Sequence, residues 1–297
     1  MRASIIMPVC NQGEWLRKTI ESAIHSLSDA WFDYEFVVVD DGSTDGCCDG
    51  VETDRVILLK NANPVGATHA RHQAMLKAQG DVFLMCDPHC SFPKGALSRL
   101  VTLANDTGRL TMPKVRMYSE KVLAGGGMCV SYRGLQLTRP SRPRPRPSCM
   151  GTIYAFNRTI YRRLLEFPRL PGKWGYQEQA MSVLLYKTGM RASVDTKYTC
   201  NHIGYRRKGT YPFDIPKGDI ARNAFYFHAL CLPQTYLAHW HPILVKHFGK
   251  VKDWSDGLFK SQSQGLCQLS EKSDDEVLTA LCGENWRTQM RRKRIAS

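Results

Sequence analysis

No stretch of the 297 residues is apolar for long enough to cross a bilayer. Residues 1–10 also lack the basic start and long apolar core of a secretory leader. The expectation is therefore a cytosolic protein. No Gly-x-Gly-x-x-Gly follows the first apolar run, and no Gly-x-x-x-x-Gly-Lys-Ser/Thr occurs anywhere. A dinucleotide enzyme and a P-loop NTPase are thereby disfavoured. The 11 cysteines form no zinc-ligand spacing, and their odd number excludes complete pairing within one chain. The adjacent Cys47 and Cys48 do not easily bridge to each other, so free buried thiols are expected. Acidic residues are few: 27 Asp and Glu face 41 Lys and Arg, a net charge of +14. Such an excess points to a polyanionic partner: nucleic acid, an anionic membrane surface or a nucleotide-bearing donor. A donor alone does not need so much charge.

What is present is a packed α/β chain, 43% hydrophobic. Ser4–Val9, Glu35–Val39, Arg55–Leu59 and Val82–Met85 read as strands. Between and after them fall helical patterns. One carries Leu16, Ile20, Ala23, Ile24 and Leu27 on a single stripe. One runs from Gly66 to Gln79 with Ala70, Ala74 and either Met75 or Leu76 inward. One runs from Pro93 to Ala104. Strands alternating with helices over short loops imply a parallel sheet covered on both faces, with ligands beyond the carboxyl ends of the strands. Three polar clusters sit there: Pro8–Asn11, Asp40–Asp45 and Asp87–His89.

The last of these is the most specific. Asp87-Pro88-His89 closes a short apolar run. Two ligands separated by one residue at a strand end can point to the same side. A carboxylate oxygen and an imidazole nitrogen suit a divalent cation such as Mn²⁺ or Mg²⁺, with positions left for phosphate oxygens.

Four segments in order resemble the nucleotide-sugar half of glycosyltransferase family 2: Ile5–Asn11, Val37–Asp45, Gly66–Arg71 and Gly80–His89. The Asp-x-His form in Cys-Asp-Pro-His-Cys is similar to the polypeptide N-acetylgalactosaminyltransferases. The resemblance covers roughly residues 3–105, with a second block at 148–213. It implies a GT-A fold and a UDP-sugar donor. It places Pro8 and Asn11 in the nucleotide pocket, Asp40 or Asp41 on the uracil imide, Arg71 on the nucleotide, and Asp87 on the donor through the metal. A carboxylate matches an imide N–H, and an Arg offers a planar fork to a carbonyl or phosphate.

In the second block, Trp174-Gly175-Tyr176-Gln177-Glu178-Gln179 opens a helix that runs to Gly189, with Met181, Leu184 and Leu185 inward. By the resemblance, Glu178 stands where inverting members carry their catalytic base, with Gln177 replacing an expected acid. If the closer kinship is with the N-acetylgalactosaminyltransferases, the reaction is retaining and Glu178 has a positioning role. Cys200–Phe213 resembles the segment that supplies the later metal-binding His. Tyr205 stands at that place, and the third ligand expected here is His202. Trp174, Tyr205, Arg206, Arg207 and Lys208 are expected near the diphosphate or acceptor.

Residues 108–150 show little periodicity and read as a loop. From Arg109 to Arg146 nine Lys and Arg face one acid, Glu120. Arg139-Pro140-Ser141-Arg142-Pro143-Arg144-Pro145-Arg146-Pro147 favours an extended polyproline conformation with Arg139, Arg142, Arg144 and Arg146 projecting toward phosphates. Beyond the resemblance, Asp219–Leu230 and Tyr236–Phe248 look helical, and Ser273 caps a last helix that ends near Arg291–Arg294.

The expected organisation is a GT-A catalytic domain over 1–213 and a helical extension over 214–297. The domain comprises a donor half 1–107, a basic insertion 108–150 and an acceptor half 151–213. The expected activity is metal-dependent transfer from a UDP-sugar to a hydroxyl. The charge and the missing membrane span favour a 5-hydroxymethylpyrimidine in DNA, whose hydroxyl is exposed in the major groove. Two rivals stand beside it: a glycan, lipid or protein O-glycosyltransferase at an anionic membrane, and a nucleic-acid-binding protein on an inactive transferase fold.

Overall fold

The computed structural model describes residues 1–117, 121–131, 133–164, 169–203, 215–251 and 257–288. Continuous apolar runs build its centre: β1 (Arg2–Val9), β2 (Asp33–Asp41), β3 (Val56–Asn61) and β4 (Val82–Cys86). Ile5, Ile6, Val37, Val38, Val39, Phe83 and Leu84 are fully buried, as strands covered on both faces must be. These strands pair in parallel in the order β3-β2-β1-β4. The helices α1 (Trp15–Ser26), α2 (Ala67–Lys77) and α3 (Ala96–Thr107) follow β1, β3 and the short β5 (Cys90–Ser91).

Two inward assignments change. Leu16, Ile20 and Ala23 are buried, but Ile24 is 43% exposed because it lies one position off the stripe. On α2, Met75 is buried and Leu76 faces outward.

Residues 108–150 are not one loop. They hold β6 (Leu110–Met117), β7 (Val122–Leu123), β8 (Gly127–Ser131) and β9 (Gly134–Thr138). Among the described residues the main sheet has nine strands. It continues from β4 through β10 (Ile153–Asn157) to β6, then β11 (Ala192–His202) and β5. Strand β10 runs antiparallel to both neighbours, so the sheet is mixed though mostly parallel. Opposite Pro113 the β6–β11 register shifts between Asp195 and Thr199. Proline offers no N–H to the ladder, and a bulge absorbs the gap. Strand β11 thus continues to His202.

The Arg-Pro segment is tethered at both ends. Ala124 N–H donates to Pro140 O (2.9 Å), and Gly126 and Ser148 exchange two backbone bonds (3.0 and 2.9 Å). Between the tethers the chain bends at 141–142 and 145–146, so it is not one straight polyproline run.

Helices α4 (Arg158–Arg163) and α5 (Gln177–Lys187) precede β11, and α5 begins three residues later than Trp174. The C-terminal region holds α6 (Lys217–Cys231), α7 (Pro233–Thr235), a π-helical turn at Tyr236–Trp240, α8 (His241–Phe248), α9 (Gly257–Leu269) and α10 (Asp274–Cys282). The single helix expected over 236–248 is divided because Pro242, in the first turn of α8, has no N–H to donate back to the preceding turn. Among the described residues no helix is long and apolar enough to cross a membrane.

These helices lie on α5 and the β8–β9 hairpin. In α6, His228 donates from Nδ1 to Ala224 O (2.7 Å) and accepts the Leu135 N–H on Nε2 (2.9 Å). Lys187 at the end of α5 forms a buried pair with Asp274 (2.6 Å). The expected Ser273 cap opens α10, here as a capping box with Glu276. Arg291–Arg294 lie outside the described residues.

Candidate active site

Loops leaving the carboxyl ends of β1 and β2 are stitched together. Asn11 takes a left-handed conformation (φ 51°), which asparagine tolerates better than most residues. Its N–H donates to Ser43 Oγ (3.0 Å), and its side-chain oxygen accepts the Thr44 N–H (2.8 Å). Gly13 N–H donates to Asp45 (2.8 Å).

The structure separates Asp40 from Asp41. Both oxygens of Asp41 are engaged, by Val65 N–H, Gly66 N–H (2.8 Å each) and Asn61 Nδ2 (2.9 Å), which fixes the start of α2. Asp40 receives the Ser43 N–H on one oxygen (2.8 Å). It lines a cleft of about 480 Å³ with Gly42, Ser43, Thr44, Lys60 and Asn61. Pro8 is half-buried in β1, opposite Val39.

Past β4, three expected ligands meet. Asp87 Oδ2 lies 3.3 Å from His202 Nε2, and His89 Nε2 lies 3.0 Å from the same atom. Their ligand atoms all fall within 4.8 Å of one another. Strand β11 brings His202 there because it pairs with Cys90 of β5. Gln12 sets the tautomer of His89. Its amide oxygen can only accept, so the bond from His89 Nδ1 (2.8 Å) puts the ring proton on Nδ1 and the lone pair on Nε2. The Gln12 amide nitrogen is itself held by Cys10 O (2.8 Å).

Burial pushes the His89 imidazole down to about 4, which keeps it neutral and able to ligate. Burial works against the Asp87 carboxylate, but the His202 hydrogen bond and the Arg71 guanidinium hold it below its ordinary value. Asp87 Oδ2 and the lone pair on His89 Nε2 both face His202 Nε2, a single site that cannot serve both. A divalent cation satisfies all three, so the donor set fits one. Asp87 and His202 keep 21% and 12% side-chain exposure, so a solute can reach them.

Arg71 joins this group to α5. It is buried, 3.2 Å from Asp87 Oδ1, and hydrogen-bonded to Gln177 Oε1. Gln177 therefore does what Arg71 requires, an oxygen that accepts. Glu178 follows it in the first turn of α5, and its carboxyl group covers Gly151 so closely that any Cβ there would collide with it. The helix start is held by Tyr176, a bulky residue in the left-handed region (φ 67°). Its hydroxyl donates to Arg133 O (2.7 Å) and accepts from Gln136 Nε2 (2.9 Å). Gln12, Gly151, Tyr176 and the partner of Gln177 carried no signal in the sequence.

Other expected residues are not gathered here. Trp174 is 39% exposed, on a loop whose carbonyls are bound by Asn223. Arg139, Arg142, Arg144 and Arg146 are exposed on the tethered segment. Tyr205, Arg206, Arg207 and Lys208 lie outside the described residues.

Residues 4–165 match the profile of a family described as glycosyl transferase family 2. A "Probable N-acetylgalactosaminyltransferase 6" of Caenorhabditis elegans is 23% identical over 209 residues, 64% of this chain and 33% of that one. "Glycosyltransferase GlyG" of Streptococcus pneumoniae is 32% identical over 89 residues, 28% of this chain and 29% of that one. The chain thus spans about a third of the length of these curated relatives. The solved structure of GalNAc-T7 with UDP, GalNAc and Mn²⁺ superposes with a TM-score of 0.71 at 17% identity, over 94% of this chain and 56% of the other. This likeness shows the GT-A fold.

Proposed function

We propose that this chain, which belongs to glycosyl transferase family 2, moves a sugar from a UDP-sugar to a hydroxyl acceptor with a divalent cation. The observation that carries the reading is the meeting of Asp87, His89 and His202 at the carboxyl ends of the sheet. UDP and Mn²⁺ in the GalNAc-T7 structure support the choice of donor and metal. Asp87, His89 and His202 hold the cation, which supplies positive charge to the diphosphate and to the departing UDP.

In the cleft, the free oxygen of Asp40 is the acceptor for a uracil imide, and Asp41 is a scaffold. Arg71 fixes the ionised Asp87. The acceptor hydroxyl attacks the anomeric carbon as the bond from that carbon to the diphosphate oxygen breaks, and Glu178 takes the hydroxyl proton. Attack from the face opposite the leaving group inverts the sugar. Gly151 keeps the carboxyl group free to adopt this position.

The acceptor we favour is a 5-hydroxymethylpyrimidine in DNA, supported by the net charge of +14. The test is UDP release from a panel of UDP-sugars with Mn²⁺, against ordinary DNA, two hydroxymethylated DNAs and no acceptor. Release confined to a hydroxymethylated DNA and abolished by chelator is expected. Equal release in all four overturns the DNA acceptor, and turnover undiminished by chelator overturns the metal assignment.

A further inference from the structure

We infer that Arg109, Arg146 and Arg191, with Arg142 and Arg144 beside them, form a docking face for the phosphate backbone of a nucleic acid. The face lies at the end of α5 remote from Glu178. It rests on the DNA reading above and gives that acceptor a track.

Parallel pairing of β6 with β11 sets Ala192 opposite Leu110, and Leu110 N–H donates to Arg191 O (3.1 Å). Arg109 and Arg191, far apart in sequence, therefore stand side by side where the two strands begin. Arg146 comes toward the same end of these strands, because its neighbour Pro147 gathers with Val194 of β11 and Met112 of β6 around Gly125. Tyr186, buried near the end of α5, lies in the field of all three guanidinium groups. Arg142 and Arg144 are exposed on the same tethered segment, and the Arg144 guanidinium lies over Gly127 of β8.

None of these five arginines meets a carboxylate among the described residues. Several other arginines are engaged. Arg2, Arg55, Arg99, Arg163 and Arg287 all sit on acids. Arg158 is spent on the backbone carbonyls of Ala78 and Gly80. Like charges side by side on neighbouring strands repel. An anion with several spaced charges relieves all of them at once, and a polynucleotide is such an anion.

Helix α5 connects this face to the reacting centre. From Glu178 to Tyr186 is eight residues, about 12 Å at 1.5 Å per residue. At about 3.4 Å per nucleotide along one strand, that is three to four nucleotides. A target base at Glu178 therefore needs a flank of at least that length on one side to reach the arginines.

The experiment titrates a fluorescent, unmodified 20-base-pair duplex with the full chain at several salt concentrations, for the wild type and for Arg109→Ser/Arg146→Ser/Arg191→Ser. UDP binding and the melting temperature report that the variant is folded. Three lost phosphate contacts lower the slope of log affinity against log salt by about 3, with at least a tenfold weaker complex at low salt and UDP binding unchanged. A folded variant with wild-type affinity and slope overturns the face. So does wild-type binding to anionic phospholipid vesicles with none to DNA. If the variant fails to fold, Arg146→Ser alone is titrated, and a slope lower by about 1 is required. Duplex binding with this Arg dependence, but no sugar transfer to any hydroxymethylated DNA, supports the face and overturns only the acceptor reading.

Discussion

Around Asp87 every charge has an opposite neighbour; around Tyr186 no described carboxylate answers the arginines. Arg71 and Asp87 are 3.2 Å apart, and His202 closes on Asp87 at 3.3 Å. Arg109, Arg146 and Arg191 instead gather toward the beginnings of β6 and β11. The difference follows from solvent. A buried charge without its counter-charge costs several kcal/mol, so the donor side must be complete before any ligand arrives. An exposed guanidinium is solvated and screened, so the flank can wait for its anion.

The sharpest way to break the donor side is Asp87→Ala. It removes a proposed ligand and leaves Arg71 buried without its acid. UDP release should fall by about 10³-fold or more, several kcal/mol of lost charge stabilisation. DNA affinity should hold, since Asp87 is not on the arginine face. Next is Glu178→Gln, which keeps the shape and removes the base. A fall of about 10²–10³ in kcat with little change in KM for the donor is expected, and an active variant would remove Glu178 from that role. Gly151→Ala tests the same carboxylate from outside. The new methyl group must displace it, and a shift of about 1 Å at a reacting group costs on the order of 10²-fold. Gln12→Leu leaves all three proposed ligands in place but frees the His89 tautomer. The Mn²⁺ concentration for half activity should rise about 10-fold or more.

The mildest effect concerns acid and belongs to the other side. Burial holds the His228 imidazole at about 3 in the folded protein, against about 6.5 unfolded. Below pH 6.5 the unfolded chain binds a proton that the folded one refuses. Stability is thus fully present above pH 6.5 and falls by up to about 1.4 kcal/mol per pH unit toward pH 3. Urea unfolding at pH 7 and pH 5 reads it. Because His228 ties the β8–β9 hairpin to α6, amide exchange in that hairpin should rise before exchange in β1 and β2 does.

Much of the donor side was legible because buried parallel strands read as continuous apolar runs, and the polar clusters closing them fall at one edge by topology. His202 was legible from its own segment, although its approach to His89 depends on β11. Gln12 was not. It reads as a turn residue, and its partner lies 77 positions away. Gln177 looked like a departure from an acid until Arg71 appeared opposite it. The strands of 110–138 escaped notice because Pro113 and interrupted apolar runs blur their alternation. Arg109 and Arg191 became neighbours only through the pairing of β6 with β11. Sequence patterns report what a segment does with solvent and with its own next turn; they are silent on which distant segment faces it.

The proposed ligands lie unevenly along the chain. His202 follows His89 by 113 positions, and closing so long a loop carries an entropic cost that no local contact offsets. The first two ligands are in place once β4 and β5 form, and the third arrives only with β11, one of the last strands of the sheet to be synthesised. A cation bound by all three is therefore a clasp between the early and late parts of the chain. It stabilises the closed sheet in proportion to the logarithm of its own concentration, and its occupancy reports whether the chain has finished folding.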